Sequence, residues 1–186
     1  MRSLLRAEGA LICPCGSRDS AAFATLYEEH VDRVYRHAYY LLGSKTEAED
    51  LTAQTFLQAW AAVDRYQDRG KPVLSWLLTI AHNLVVSRRR NGHHESRLHE
   101  NIAASGRFVS PEEALIAKSR EEEVTRAILK LKPLERQVIL LRFVDNVEYA
   151  EVAQILGKSV NAVRVIQYRA LCNLRRLVGT RGKDSI

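Results

Sequence analysis

The chain has 186 residues, 46% of them hydrophobic and 27% charged, with a formal net charge of +6 and a pI of about 9.4. Those proportions describe a folded soluble protein and exclude a low-complexity or disordered chain. No apolar run reaches the roughly 18 residues of a membrane span, so none is expected.

The opening "MRSLLRAEGALICPCG" is only weakly like a signal peptide, because Glu8 and Gly9 interrupt its short apolar piece. Residues 1–19 read as a poorly ordered extension. Cys13, Cys15 and Cys172 leave an odd thiol and imply a reducing compartment. Cys13-Pro14-Cys15-Gly16 is half of a zinc knuckle without its second half, so no metal is expected.

The hydrophobic rhythm is helical throughout, and the spacing predicts an all-α protein. From Ser20 to Leu42, Phe23, Leu26, Tyr27, Val31, Val34, Tyr35, Ala38 and Leu41/Leu42 recur at helical spacing, and Gly43 ends the run. Ser44 and Glu47 form a capping-box pattern. The helix it starts runs to about Tyr66, with Ala48, Leu51, Ala53, Phe56, Leu57, Trp60 and Val63 on its apolar side. "QDRGK" is a loop, and Pro72 suits the first turn of a third helix. That helix begins almost wholly apolar and ends in Arg88, Arg89 and Arg90.

"NGHHESRLHENIAASGRFVS" is polar and aperiodic, and reads as a flexible linker over 92–109. Ser110-Pro111-Glu112-Glu113 restarts a helix, which runs to about Lys130. Pro133 opens another, "LERQVILLRFV". The result is two small helical domains, 20–91 and 110–179, with a tail at 180–186.

The second domain ends in a helix-turn-helix pattern. Tyr149 to Leu156 is a short helix with small Ala153 at its middle, Gly157 permits a tight turn, and Ser159 can cap the helix that follows. At about 100° per residue, one arc of that last helix holds Val160, Val163, Ile166, Gln167, Ala170, Leu171, Leu174 and Leu177. The opposite arc holds Asn161, Val165, Tyr168, Arg169, Cys172 and Arg176, with Arg164 and Arg175 on one flank and Ala162 on the other. Gln167 is the one polar residue of the inner arc. It either yields its packing place to Ile166 or is buried with a hydrogen-bond partner.

From Ser159 to Lys183 there are six Lys/Arg and no Asp/Glu. A basic amphipathic helix alone is more often a solvated face than a polyanion site. The turn before it favours a helix that enters a major groove about 12 Å wide. There Arg suits guanine, Asn suits adenine and Val165 can meet a thymine methyl.

"EVAQILGKSVNAVRVIQYRALCNLRR", preceded by "ILKLKPLERQVILLRFVDN", resembles the promoter-recognising C-terminal domain of bacterial sigma factors. "FATLYEEHVDRVYRHAYYLLGSKTEAEDLTAQTFLQAWAAVDRYQ" with "VLSWLLTIAHNLVVSRRRN" resembles their region 2. Order and linker length resemble the extracytoplasmic-function (group IV) class over roughly residues 20–179.

The resemblance implies a cytoplasmic alternative sigma factor, monomeric and without cofactor. It would bind core RNA polymerase and promoter DNA, under control of an anti-sigma protein. It implies that Glu47, Asp50, Gln54, Leu57 and Gln58 dock on the coiled coil of the polymerase largest-subunit clamp. It implies that Arg69, Lys71, His82, Asn83, Arg88, Arg89 and Arg90 hold the open −10 strand. The apolar neighbours Leu74, Leu77 and Leu78 put Trp76 in the core, which leaves Tyr66 and the 67–71 loop better placed to catch a flipped base. The resemblance also implies that Ser159, Asn161, Arg164, Val165, Tyr168 and Arg169 read the −35 groove.

Two other readings remain. A dimeric helix-turn-helix regulator would carry a pocket-forming sensor domain in place of an acidic helix and an arginine-ended one. A nuclease reading of His82, Asn83, His93 and His94 lacks the β-hairpin that holds such a site, and no other catalytic motif is present.

Overall fold

The computed structural model describes residues 19–66, 72–90 and 123–179, and every regular element among them is helical. The chain divides into two compact units, residues 1–38 with 46–95, and residues 39–45 with 96–186. The N-terminal extension, the "QDRGK" loop, the 92–109 linker and the Ser110 cap lie outside the described residues.

Helix α1, Ser20–Leu42, starts where Asp19 accepts the free N–H groups of Ala21 at 3.0 Å and Ala22 at 3.1 Å. Gly43, at φ 78°, ends it in the left-handed region that glycine tolerates. Helix α2, Lys45–Ala62, stops earlier than the sequence suggested. A 3-10 turn, Val63–Arg65, tightens the chain before Tyr66. Helix α3 is Val73–Arg90, with Pro72 immediately before it.

The core of the first unit forms from Leu26, Val34 and Ala38 of α1, Leu51 and Phe56 of α2, and Leu77, Leu78, Ala81 and Val85 of α3. Phe23 closes one end, 6.5 Å from Phe56 and 4.9 Å from Trp60, while Tyr27 stacks edgewise 4.8 Å from Phe56. Ala53, expected on the apolar side, is exposed; buried Thr52 and Thr55 take their share of it instead. Each threonine hydroxyl donates to the carbonyl one turn back, Thr52 to Ala48 and Thr55 to Leu51, both at 2.7 Å. That bond removes the penalty for burying the hydroxyl. On the facing helix, burial first and the Glu49 charge second hold the Tyr35 hydroxyl above its ordinary pKa.

In the second unit a helix over residues 123–129, here α4, leads into α5, Pro133–Ile139. Arg136 of α5 closes the end of α4: its Nε donates to the Ile128 carbonyl at 3.2 Å, and Nη2 donates to the Leu129 carbonyl. The expected helix "LERQVILLRFV" does not stay α-helical. It widens into a π turn, Leu140–Val144, closed by the Asp145 N–H on the Leu140 carbonyl at 3.0 Å. Asn146, at φ 55°, reverses the chain in a conformation that asparagine accepts.

Helices α6, Tyr149–Leu156, and α7, Val160–Gly179, follow. Helix α7 packs on both α5 and α6. Leu131, Ile139 and Ala170 form a buried cluster with Leu174 and Leu177 against it.

Candidate nucleic-acid interface

The turn between α6 and α7 is a Schellman ending. Gly157, at φ 60°, donates its N–H to the Gln154 carbonyl at 3.3 Å, and Lys158 donates to the Ala153 carbonyl at 2.9 Å. Ala153, the small residue at the middle of α6, is buried, and α6 packs on α7. Ser159 then caps α7, its Oγ accepting the Ala162 N–H at 3.2 Å. The sequence placed Ser159 both as a cap and in the DNA face, and the structure shows the cap.

The inner stripe of α7 is Val163 and Ala170, both fully buried, with Val160, Ile166, Leu174 and Leu177 half-buried. Leu171, expected on that stripe, is exposed, because the helix turns its seam toward Asn173 instead. Asn173 Nδ2 donates to both carboxylate oxygens of buried Glu135, at 3.1 Å each. This bond ties α7 to α5 by a charge-assisted contact. Spacing along the chain does not reveal it, because an asparagine on α7 and a first-turn acid on α5 each look like surface residues until the helices cross.

Gln167 is half-buried, and its Oε1 is buried without a hydrogen-bond partner among the described residues. Neither sequence expectation holds whole: Ile166 and Gln167 share the packing place, and that oxygen is not paired.

The outer face presents Asn161, Arg164, Val165, Tyr168 and Arg169, all exposed. Val165 is 50% and Tyr168 71% exposed, large apolar surfaces that a protein ordinarily covers or uses. Among the described residues the first two turns of α7 carry no acid, so the field there is cationic.

In the first unit, Asp50, Gln54, Leu57 and Gln58 lie exposed on α2 and Glu47 is half-buried in its first turn. Leu57 is 68% exposed, on a helix whose other large apolar residues, Leu51, Phe56 and Trp60, face inward. On α3, Asn83 and Arg90 are exposed, and His82 and Arg88 are half-buried. Arg69 and Lys71 lie outside the described residues, as does the side chain of Arg89. Tyr66 is half-buried with its ring 4.7 Å from that of Trp76, tilted by 45°. Trp76, expected in the core, is itself only half-buried, so the two aromatics form a pair at the edge of the unit. His93 and His94 of the nuclease reading lie outside the described residues, and among those described no group of His, Cys, Asp or Glu is placed to hold a metal. No described helix is long and apolar enough to cross a membrane.

A capped helix-turn-helix with a cationic outer face is the architecture of a DNA-binding protein, and the other unit exposes an acidic-apolar helix face. Comparison with known proteins narrows the class. The family model for Sigma-70 region 2 matches residues 26–94 and that for Sigma-70 region 4 matches residues 121–173. The chain is 34% identical to the ECF RNA polymerase sigma factor BldN of Streptomyces coelicolor over 86% of its own length, and spans 61% of that relative. It is 29% identical to the ECF sigma factor SigW of Bacillus subtilis, covering 85% of this chain and 89% of SigW. Among solved structures it is similar to CnrH in complex with the cytosolic domain of CnrY. There the TM-score is 0.64 and the identity 26%, over 88% of this chain and 92% of the other.

The chain belongs to the sigma-70 family, in its extracytoplasmic-function class. Members of this family act with RNA polymerase in transcription initiation and are not enzymes in general.

Proposed function

We propose that the chain is a cytoplasmic alternative sigma factor that binds core RNA polymerase and directs initiation at promoters it selects itself. The observation that carries this reading is the pairing of two dissimilar surfaces in one chain. The outer face of α2 joins Asp50 to exposed Leu57, and the outer face of α7 joins Arg164 and Arg169 to exposed Val165 and Tyr168. A mixed acidic-apolar patch suits a protein partner, whereas a cationic face behind a helix-turn-helix suits DNA.

The domains we assign are 20–91 for polymerase and −10 binding and 110–179 for −35 binding. On α2, Glu47, Asp50, Gln54, Leu57 and Gln58 meet the clamp coiled coil. On α3 and the loop before it, Arg69, Lys71, His82, Asn83, Arg88, Arg89 and Arg90 hold the open strand. On α7, Asn161, Arg164, Val165, Tyr168 and Arg169 face the −35 groove, and Ser159 serves as the cap that aims them. Cations along the strand draw affinity from counterion release, while base edges supply selectivity. The factor performs no covalent chemistry; the polymerase does. Because CnrH is solved with CnrY, we further assign an anti-sigma protein as the regulator of these faces.

Run-off transcription on a promoter library, with core polymerase and the purified chain, tests the reading. Promoter-selective transcripts that require the chain are expected. A chain that forms a dimer, binds a palindrome and leaves core polymerase unaffected would establish the sensor-regulator alternative instead.

A further inference from the structure

Tyr149 opens α6, the helix before the turn, and stands on the inner side of it, half-buried. Two guanidinium groups lie over its ring. Arg142, from the π turn, has its Cζ 4.0 Å from the ring centroid, and Arg164, from α7, has its Cζ at 5.3 Å. Both distances fall within the about 6 Å over which a cation is attracted to an aromatic face.

The two arginines are not equivalent. Arg142 is half-buried and anchored, with Nη1 donating to the Val147 carbonyl. Arg164 is exposed on the second turn of α7, and among the described residues its guanidinium meets the ring of Tyr149. An unrestrained arginine loses much rotamer freedom when it pairs with a base. An arginine already leaning on a fixed ring has less to lose. The backbone around the ring is held by local bonds and turns: the π turn ends at Asp145, Asn146 reverses the chain, and the Val147 N–H is bonded to the Leu141 carbonyl at 2.8 Å.

We propose that Tyr149 is a positioning residue for −35 recognition, holding the Arg164 guanidinium in the orientation from which it reaches a base edge. The inference rests on the −35 reading of α7 given above and assigns a specificity role to a side chain outside the recognition helix. It follows that the aromatic face, not the hydroxyl, does this, so phenylalanine should replace tyrosine.

The test uses the full chain with core polymerase, on a parent promoter and a set carrying each substitution across the −35 element. The proteins are the parent, Tyr149→Phe, Tyr149→Leu, Arg164→Ala, and Tyr149→Leu with Arg164→Ala. Thermal melts are run in parallel, so that lost stability is separated from lost selectivity.

Tyr149→Leu is expected to reduce discrimination about two- to fivefold at the same base position that Arg164→Ala affects, while Tyr149→Phe keeps it. Adding Tyr149→Leu to Arg164→Ala should remove no further discrimination. A Tyr149→Leu protein that loses activity equally on every promoter, or that keeps its discrimination while Arg164→Ala loses it, overturns the positioning role and leaves the −35 reading standing. An Arg164→Ala protein that discriminates as the parent does overturns the base contact itself, and the inference with it.

Discussion

Helices α2 and α7 are of nearly equal length, 18 and 20 residues, and both bury one side while exposing the other, yet they are built for opposite partners. On α2 the exposed side carries Asp50 and the apolar Leu57. On α7 it carries Arg164, Arg169, Arg175 and Arg176. The buried sides differ as well. Helix α2 absorbs its polar residues by itself, since Thr52 and Thr55 bond to their own helix. Helix α7 depends on a neighbour, since Asn173 bonds to Glu135 of α5. A helix that satisfies its own buried hydroxyls can be presented without help. A helix held by a cross-helix polar bond has its rotation fixed by the partner, which suits a helix whose angle decides which side chains meet a groove.

The sharpest way to break this contrast is at Asn173. Asn173→Asp puts a second carboxylate against buried Glu135. It should destabilise the second unit by about 2–3 kcal/mol at neutral pH, and more than Asn173→Ala does. Two carboxylates sharing a site raise the pKa of one above its unfolded value. The folded state then binds the proton more tightly than the unfolded chain. Stability should therefore recover as pH falls toward the carboxylate range and be lost as pH rises through it. Thermal melts across pH would show this, and a melting profile parallel to the parent's would remove Asn173 from its place in the packing.

Arg164→Ala should cost about 1–3 kcal/mol of promoter discrimination at one −35 position, read from competition between promoter variants. A loss uniform across sequences would make Arg164 a phosphate contact only. On the other helix, Asp50→Ala with Leu57→Ala should weaken binding to core polymerase while leaving the melting temperature unchanged. Both side chains are exposed, and exposed substitutions stay within about 0.5 kcal/mol of neutral. Assembly with polymerase at parental affinity would remove that face from the docking surface.

Gln167→Leu addresses a buried atom of α7 that has no partner among the described residues. Removing an unsatisfied amide oxygen should stabilise the second unit by about 1 kcal/mol or more, seen in denaturant melts. Destabilisation would mean that the amide is held by a partner. The smallest effect belongs to the turn. At Gly157 an added Cβ would meet nothing within 4 Å, so Gly157→Ala meets only the backbone cost of a left-handed residue, about 1 kcal/mol. A larger loss would point to a steric role that the turn does not have.

Much of this was legible in the sequence, because helical structure announces itself in short-range spacing. The glycine stops at Gly43 and Gly157 and the cap at Ser159 lie where the pattern put them. Leu57, expected on the apolar side of α2, is exposed instead. The failures, that of Leu57 among them, share one cause. Ala53 and Leu171 are apolar by type but turn outward, and Thr52, Thr55 and Asn173 are polar by type but turn inward. Residue type gives the cost of burial in isolation, and each inward polar group here has that cost met by a bond which spacing does not reveal.

By itself, then, the sequence determined the all-helical class, the order of the helices, the turn before α7 and the sign of charge on each outer face. These depend on spacing along one chain and on backbone preferences a few residues long. Only the tertiary structure decided the widening of α5 into a π turn, the seam of α7 through Glu135 and Asn173, and the unpaired oxygen of Gln167. The same holds for the placing of Tyr149 beneath Arg164. Each of those is a relation between residues distant in the chain or a choice among close-lying backbone geometries. Packing settles such choices by which polar groups find partners and which rings find cations.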